Sequence, residues 1–466
     1  VFWLEQAMHH ETAVSCPPLA GTLRADVCVV GGGFVGLWSA LEITERAPDA
    51  TVVLLEAQGC GLGASGRNGG WATSWFDEID VLVGRYGLRQ GLWLADRSSA
   101  AIRRIGDFAA EHEIDCHFRQ SGALWVATAP GQAGAWNGAV RALHDHGRHE
   151  LVEPMDSDEL RRRTGSPVLI GGVRLADSAS IQPALLARGL RRVALARGVR
   201  IFEGTPMLAL DRSRPAIVST PAGRVEADAV ILGLGAWSAR IHELRRAVLP
   251  LGSQIVLTEP IPDRLERLGW TGGELLGDVR LMVHYAQVTR DGRVAFGRGG
   301  GAIGSFGRVV LRHYIDPRAA REVERDLRRW FPSLRDVRIT HAWGGAVDRA
   351  PGHLPFIGTL GEHASVHYAT GFSGNGVAPS VLAGRVLGRL ALGEHDEYTS
   401  CGLVGGPPGY LPPEPLRSLG GAIVREGVRR AEASVESGRR PGRTDRLLER
   451  LVRFTLPRWL DPRGPR

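Results

Sequence analysis

At 466 residues, 43% hydrophobic and 23% charged, the chain has room for two to three domains and the composition of a folded globular protein. Its formal charge is +7 and it holds no lysine: all 57 basic residues are arginine. That excludes a pyridoxal Schiff base, a Walker A loop and a lysine general base, and the arginines are spread out rather than clustered with aromatics as nucleic-acid binding requires.

The five cysteines, Cys16, Cys28, Cys60, Cys116 and Cys401, are scattered and form no C-x-x-C. We therefore expect no disulfide framework, no metal site and a reducing, cytoplasmic setting. No apolar run reaches the length of about 18 residues needed to span a bilayer. Residues 1–20 lack the basic start and apolar core of a secretory signal.

In chain order, residues 1–25 read as a lead with a Pro17-Pro18 turn. Residues 26–56, DVCVVGGGFVGLWSALEITERAPDATVVLLE, carry the strongest signal. A β-rich run, 26–30, meets Gly31, Gly33 and Gly36 at G-x-G-x-x-G spacing. A helical stretch, 34–46, and a second β-rich run, 51–55, follow, ending on Glu56. The first glycine permits a tight turn, the second lets backbone approach a pyrophosphate, and the third lets helix pack on strand. The helix N-terminus, at Phe34, offers free N–H groups and a positive dipole end to a diphosphate. Glu56, about 20 residues beyond, is placed to accept from ribose hydroxyls. A carboxylate there argues for FAD or NAD.

Residues 59–71, GCGLGASGRNGGW, read as a loop running toward that ligand. Residues 77–113 have helical periodicity, with Leu88, Leu92, Ala95, Ser99, Ile102 and Phe108 near one face. A hairpin strand is expected over 118–128 and a helix over 130–147. A helix over 184–196 precedes short strands at 199–202, 207–211, 216–220 and 224–227. The apolar run 228–233 ends in a glycine turn, GLGAW, at 233–237. The span 248–304 is β-rich, with an Asp291-Gly292 hairpin turn. A helix over 317–330, a β-rich stretch to 358, a strand over 365–369 and a second glycine turn at 371–376 lead to a helix over 378–392. Proline clusters then open a tail with helices over 416–435 and 445–455. The second of these packs on its own domain or lies on a membrane surface.

Cofactor-type glycines recurring out to residue 376 suit a long, bent dinucleotide such as FAD. At this point the sequence resembles the D-amino acid oxidase superfamily of FAD-dependent oxidoreductases, nearest the γ-glutamylputrescine oxidase and glycine–sarcosine oxidase branch. The resemblance is carried by DVCVVGGGFVGLWSALEI with Glu56, GASGRNGG at 63–70, GLGAWS at 233–238, WGGAVDRAPGHLPFIG at 343–358 and TGFSGNGVAPSVLAGRVLGRLALG at 370–393. It covers roughly residues 20–400.

The resemblance implies an α/β (α+β) architecture. A glutathione-reductase-like, Rossmann-type FAD domain (20–98, 165–248, 341–400) interleaves with an antiparallel substrate domain (99–164, 249–340) that roofs the flavin. A helical C-terminal extension (401–466) follows. It also implies FAD contacts from Gly31, Gly33, Phe34, Gly36, Glu56, Ala57, Ser65, Arg67, Asn68, Gly69, Gly70, Met207, Gly233, Gly235, Trp237, Gly345, Gly371, Gly374, Asn375 and Gly376. Substrate contacts are expected from Tyr285, His284, Trp343, Arg298 and Arg280. The two arginines are either carboxylate forks or members of structural ion pairs. His284 and Tyr285 alternate along a strand, so one of them faces the flavin, and Tyr285 is preferred. Asp348 and Arg349 are expected to pair structurally.

The implied reaction oxidises a C–N bond of a small amine or amino acid to an imine, which hydrolyses to a carbonyl product. Where some relatives have a cysteine that links the flavin, this chain has Trp343, so FAD is expected to be non-covalent. Where sarcosine-oxidase-like members hold an oxygen-activating lysine, the strand RVAFGR has none. Three readings stay open: an oxidase releasing hydrogen peroxide, a dehydrogenase with another acceptor, and a non-catalytic flavoprotein subunit. A monomer or homodimer without nucleic-acid or membrane partners is expected.

Overall fold

The computed structural model describes residues 1–11, 14–363 and 365–452. Two eight-stranded sheets organise them. In the first, strands Gly21–Val30, Val52–Leu55, Arg200–Phe202, Gly223–Leu232 and Val366–Thr370 run parallel. Phe356–Leu360 closes one edge in antiparallel fashion, and the short strands Ala216–Ser219 and Ala209–Asp211 hang on Gly223–Leu232. Helix Phe34–Arg46 packs against helix Pro379–Ala391 on one face of this sheet. The inner strands are buried on both faces and so read as continuous apolar runs, as in VVLL at 52–55.

The second sheet takes strands Ala123–Ala127, Val152–Met155, Gly171–Leu175, Leu249–Thr258, Leu275–Asp278, His284–Val288, Val294–Arg298 and Ile339–Arg349. All its pairings are antiparallel except Leu275–Asp278 with Ala123–Ala127. Its membership moves two expected boundaries. Residues 171–175 and 341–349, read as part of the dinucleotide domain, belong to this roof sheet instead. The FAD-type turn at 371–376 hangs directly from the parallel sheet.

Period-two alternation gives the roof two faces. Phe296, Val256, Leu276 and Ala286 point to the outer face, which helix Pro317–Trp330 covers with Val323, Leu327 and Trp330. Ile255, Leu257, Ala295 and Trp343 point to the inner face, toward Trp3, Leu4 and Ala7 of an N-terminal helix, Phe2–His10. The sequence reading missed that helix because nine residues hold less than three turns of pattern. Its stability comes from docking, since short isolated helices are marginal.

Other departures have equally local causes. The expected strand 224–227 and run 228–233 form one strand, Gly223–Leu232. Helix Ile79–Glu111 is broken at Gly87, at φ 77°, which leaves Leu88 exposed rather than on the shared apolar face. The 118–128 strand narrows to Ala123–Ala127, and helix 130–147 to Asn137–Asp145. Helix Ser157–Thr164, capped by Asp156 and ended by Gly165 in the left-handed region, was not anticipated.

The C-terminal helix Leu416–Glu436 packs against helix Arg443–Leu451, where Leu448 lies against Gly427. Leu447 and Leu451 stay exposed; residues 453–455 of the expected second helix lie outside the described residues. No described helix is long and apolar enough to cross a membrane.

The outer face also buries charge. His284 lies fully buried with Nδ1 2.7 Å from Asp278 and Nε2 2.9 Å from Asp326, so both ring nitrogens meet a carboxylate. Burial opposes the charged ring, but Asp278 and Asp326 outweigh it and raise the pKa above its ordinary 6.5. A pKa raised on folding contributes stability that is full below the unfolded value and lost as pH rises through the folded one. Urea unfolding at about pH 6 and about pH 9 should therefore show a loss of stability at the higher pH that shrinks in His284→Gln; an equal loss in both proteins would contradict the assignment.

Candidate active site: a dinucleotide cradle beneath the roof

The cradle begins at three glycines in mutual contact. Gly31 adopts φ +108°, and a Cβ on it would lie 2.5 Å from the Gly233 carbonyl oxygen; one on Gly36 would lie 1.9 Å from the Gly31 oxygen. Neither position admits any other residue without moving backbone. Glu56 closes the far side: its carboxylate accepts from the Gly32 N–H at 2.7 Å and the Gln58 N–H at 2.9 Å. Burial raises its pKa despite those two donors. Ala57 follows, exposed, at the end of the strand, and Met207 lies half-buried on the segment that begins at Thr205, whose N–H donates to the Glu56 carbonyl.

Loop 63–70 bridges the two sheets. The Ser65 hydroxyl accepts from the Phe34 N–H at 2.8 Å, at the helix N-terminus. Asn68 folds back on its own loop, donating to the Ala64 and Ser65 carbonyls and accepting from the Gly70 N–H; it is a turn-former here. Arg67 donates to the Leu62 carbonyl and lies 4.8 Å over the Tyr314 ring. Two indoles hold the loop to the roof side: Trp343 Nε1 donates to the Arg67 carbonyl at 2.9 Å and Trp3 Nε1 to the Asn68 carbonyl at 3.1 Å. Trp3 could not be read from sequence, because its partner is a backbone oxygen some sixty-five positions away.

The second glycine turn is anchored by Asp348. Its buried carboxylate accepts from the Gly371 N–H at 2.7 Å and the Thr370 hydroxyl at 3.2 Å. Arg349, on the opposite face of the same strand, meets His353 and Glu78 instead, so the expected Asp348–Arg349 pair does not form.

Across the inner face of the roof one row of residues is in register: Val173, Trp125, Gly277, Tyr285, Gly297, Ile255 and Trp343. Tyr285 lies flat over Gly297, where a Cβ would come 2.3 Å from its ring, and beside Gly69, at 2.7 Å. Its hydroxyl is 2.7 Å from Ser253 Oγ, and burial pushes its pKa up to about 12. Ser253 pairs with Gly345, where a Cβ would first meet Arg67, at 3.6 Å. The structure thus gathers Tyr285, Trp343, Gly345 and loop 63–70.

It does not bring the other three candidates there. His284 and Arg298 face outward by strand alternation, to Asp326 on helix Pro317–Trp330. Arg280 is buried with Asp278, Thr128 and Glu436 of the C-terminal helix. Each is satisfied by carboxylates on the far side of the sheet, so none is available as a substrate fork from this face.

The residues present fit a dinucleotide. Gly235 and Gly374 take positive φ with open space where a Cβ would stand, and a Cβ on Gly63 would lie 3.9 Å from the Trp237 ring. Asn375 Oδ1, on the turn before helix Pro379–Ala391, is buried without a partner. This arrangement defines a two-sheet flavoprotein oxidoreductase, with a nucleotide cradle on one sheet and a roof on the other. The chain belongs to the FAD-dependent oxidoreductase (DAO) family, whose model matches residues 26–390, and FAD is its cofactor. It is 31% identical over 387 residues to a probable oxidoreductase OrdL of Rhizobium meliloti, covering 82% of this chain and 86% of that protein. It is 30% identical over 380 residues to the γ-glutamylputrescine oxidoreductase of Escherichia coli, covering 81% and 86%. A crystal structure of glycine oxidase from Geobacillus kaustophilus shares the fold, with a TM-score of 0.66 at 20% identity over 80% of this chain and 96% of that one.

Because the Gly36–Gly31 approach leaves no space for a methyl group, Gly36→Ala should weaken FAD binding by about tenfold or more, the scale of overpacking a tight contact. The ratio of flavin to protein absorbance after dialysis measures this; full retention of flavin would show that the glycine contact is dispensable.

Proposed function

We propose that this enzyme oxidises a C–N single bond of a small amine or amino acid to an imine, with molecular oxygen as acceptor and hydrogen peroxide as product. The observation that carries the reading is the position of Tyr285 and its Ser253 partner on the inner roof face, beside Gly69 of the loop tied to the cradle. The similarity to a γ-glutamylputrescine oxidoreductase and to a glycine oxidase supports the same class of substrate.

FAD, when bound, supplies two-electron acceptance from the substrate carbon, and the chemistry is the cofactor's own. The protein's part is placement. Tyr285 and Trp343 wall the reaction side, and Gly297 and Gly277, in register on either side of Tyr285, make room for the rings of Tyr285 and Trp71. With Tyr285 held protonated, its hydroxyl remains a donor or acceptor toward a substrate nitrogen or carboxylate across the working pH range. The turn at 371–376, fixed by Asp348 through the Gly371 N–H, holds Asn375 Oδ1 buried without a partner before helix Pro379–Ala391, a preorganised polar group open to the bound cofactor. The site residues named above and the division into cradle and roof are part of this proposal.

Anaerobic mixing with a panel of amines, glycine derivatives and D-amino acids should bleach the flavin, and admitting air should release peroxide in step with substrate loss. Bleaching without peroxide, but with dye reduction, would replace oxygen by another acceptor; no bleaching by any panel member would remove the reading. Tyr285→Phe should lower kcat/KM by about tenfold, the worth of one hydrogen bond in the transition state, with FAD still bound.

FAD is held non-covalently in this reading: Trp343, in place of a cysteine, gives its indole N–H to Arg67. Acid precipitation should leave colourless protein and a yellow supernatant; a yellow pellet would contradict it.

A further inference from the structure

A cavity of about 270 Å³ opens on the same inner face of the roof, to one side of Tyr285. Its floor is the roof itself, through Trp125, Val152, Val173 and Leu175, and helix Asn137–Asp145 forms the opposite wall with Val140 and Leu143. Its acidic end is the turn into helix Ile79–Glu111, which places Asp77 and Asp80 on the lining. Trp125 shares the register row of Tyr285 and stands two strands away, roughly 10 Å at sheet spacing. Trp71, which leads out of the loop 63–70, lies between them, edge-on to Trp125 at 5.5 Å and over Gly277.

Two polar atoms of the residues lining this cavity have no partner among the described residues. Asp77 Oδ1 is buried without a hydrogen-bond partner, and so is the indole nitrogen of Trp125. The neighbouring acids are already engaged: Glu78 is drawn to Arg349, and Asp80 accepts from the Val81 N–H. Burial, then the Glu78 charge, hold the Asp77 carboxyl well above the usual carboxylate range, against the pull of the Asp77 and Glu78 backbone N–H groups and with a smaller push from Asp80. Among the charges acting on this carboxyl none is positive, and its Oδ1 is an orphaned buried acceptor, which is costly. Aliphatic and aromatic walls with a single acid at one end match an ammonium group carried on an apolar chain, with the indole faces adding cation–π attraction. They do not match an anion.

We propose that this cavity is a subsite for the distal ammonium of an alkyl diamine-type substrate, its charged end on Asp77, its methylene chain along Trp125, Val173 and Leu143, and its reacting nitrogen under Tyr285. The inference rests on the amine-oxidation reading and deepens it, since it selects a cationic amine over an amino acid.

Three probes of equal length and different distal charge test it on the FAD-loaded enzyme: 1,6-diaminohexane, n-hexylamine and 6-aminohexanoate. Calorimetry should rank the diamine tightest and the amino acid weakest. Asp77→Asn should weaken diamine binding by about 30-fold, the effect of removing one partner of a buried charge pair, with little change for n-hexylamine. Ala139→Phe, which fills the cavity from the helix wall without touching the charge, should weaken both. Should Asp77→Asn fail to fold, Ala139→Phe alone decides. Equal diamine affinity in wild type and both variants would overturn the subsite. Diamine binding that depends on Asp77 without any flavin bleaching would leave the subsite standing and remove amine oxidation. Bleaching by amines with no dependence on Asp77 or Ala139 would do the reverse.

Discussion

Gly31, Gly36 and Gly233 meet with almost no space between their backbones, and the rest of the site is built outward from that contact. Because a Cβ on Gly36 would lie 1.9 Å from the Gly31 oxygen, the helix Phe34–Arg46 can start directly over the end of the Gly21–Val30 strand. Because Gly31 also approaches Gly233 too closely for a Cβ, the parallel neighbour Gly223–Leu232 ends at the same level. Two strand ends and one helix N-terminus then converge, with Glu56 bonded across to Gly32. Free N–H groups and a helix dipole are left pointing at one place, which is what a pyrophosphate requires.

The roof applies a different rule to the same end. Strand alternation sorts its polar groups into two populations. On the outer face the charges neutralise one another: His284, Arg280 and Arg298 with Asp278, Asp326, Glu432 and Glu436. Two of those acids come from the C-terminal helix, and Glu432 also accepts from the Met282 N–H at 2.9 Å. The helix Leu416–Glu436 therefore closes the outer face of the roof by charge, while residues 401–410 before it pack on the parallel sheet. Breaking a buried pair on that face would strand its partner, a strongly unfavourable event. The inner face has instead a hydroxyl pair, two glycines and aromatic walls. Loop 63–70 joins the two sheets because its carbonyls accept from indoles on the roof strand and the N-terminal helix.

Much of the cradle was legible in the residues. Its elements lie within one short unit, and the glycine spacing reports local constraints: a turn, a close approach, a helix start. The resemblance then placed loop 63–70 and the turn at 371–376. Substrate-side residues were harder. Tyr285, His284, Arg298 and Arg280 are all of the right chemical kind, and period-two alternation correctly required His284 and Tyr285 to part. It could not say which face was the inner one. That depends on helix Pro317–Trp330 covering one side and on the C-terminal helix bringing Glu432 and Glu436 to the arginines.

The sequence by itself determined the βαβ unit, the acid at its end and the order of the glycine turns, because each is fixed by neighbours a few residues apart. Only the tertiary structure decided that residues 171–175 and 341–349 pair into the roof sheet, that Trp3 and Trp343 tie down the same loop, and that Asp348 holds Gly371 rather than Arg349. It also decided that Asp77 is left at the end of an apolar cavity without a counter-charge. These are pairings between segments tens to hundreds of residues apart. They are set by which faces are buried against each other, and a linear pattern reports that a face exists without naming its partner.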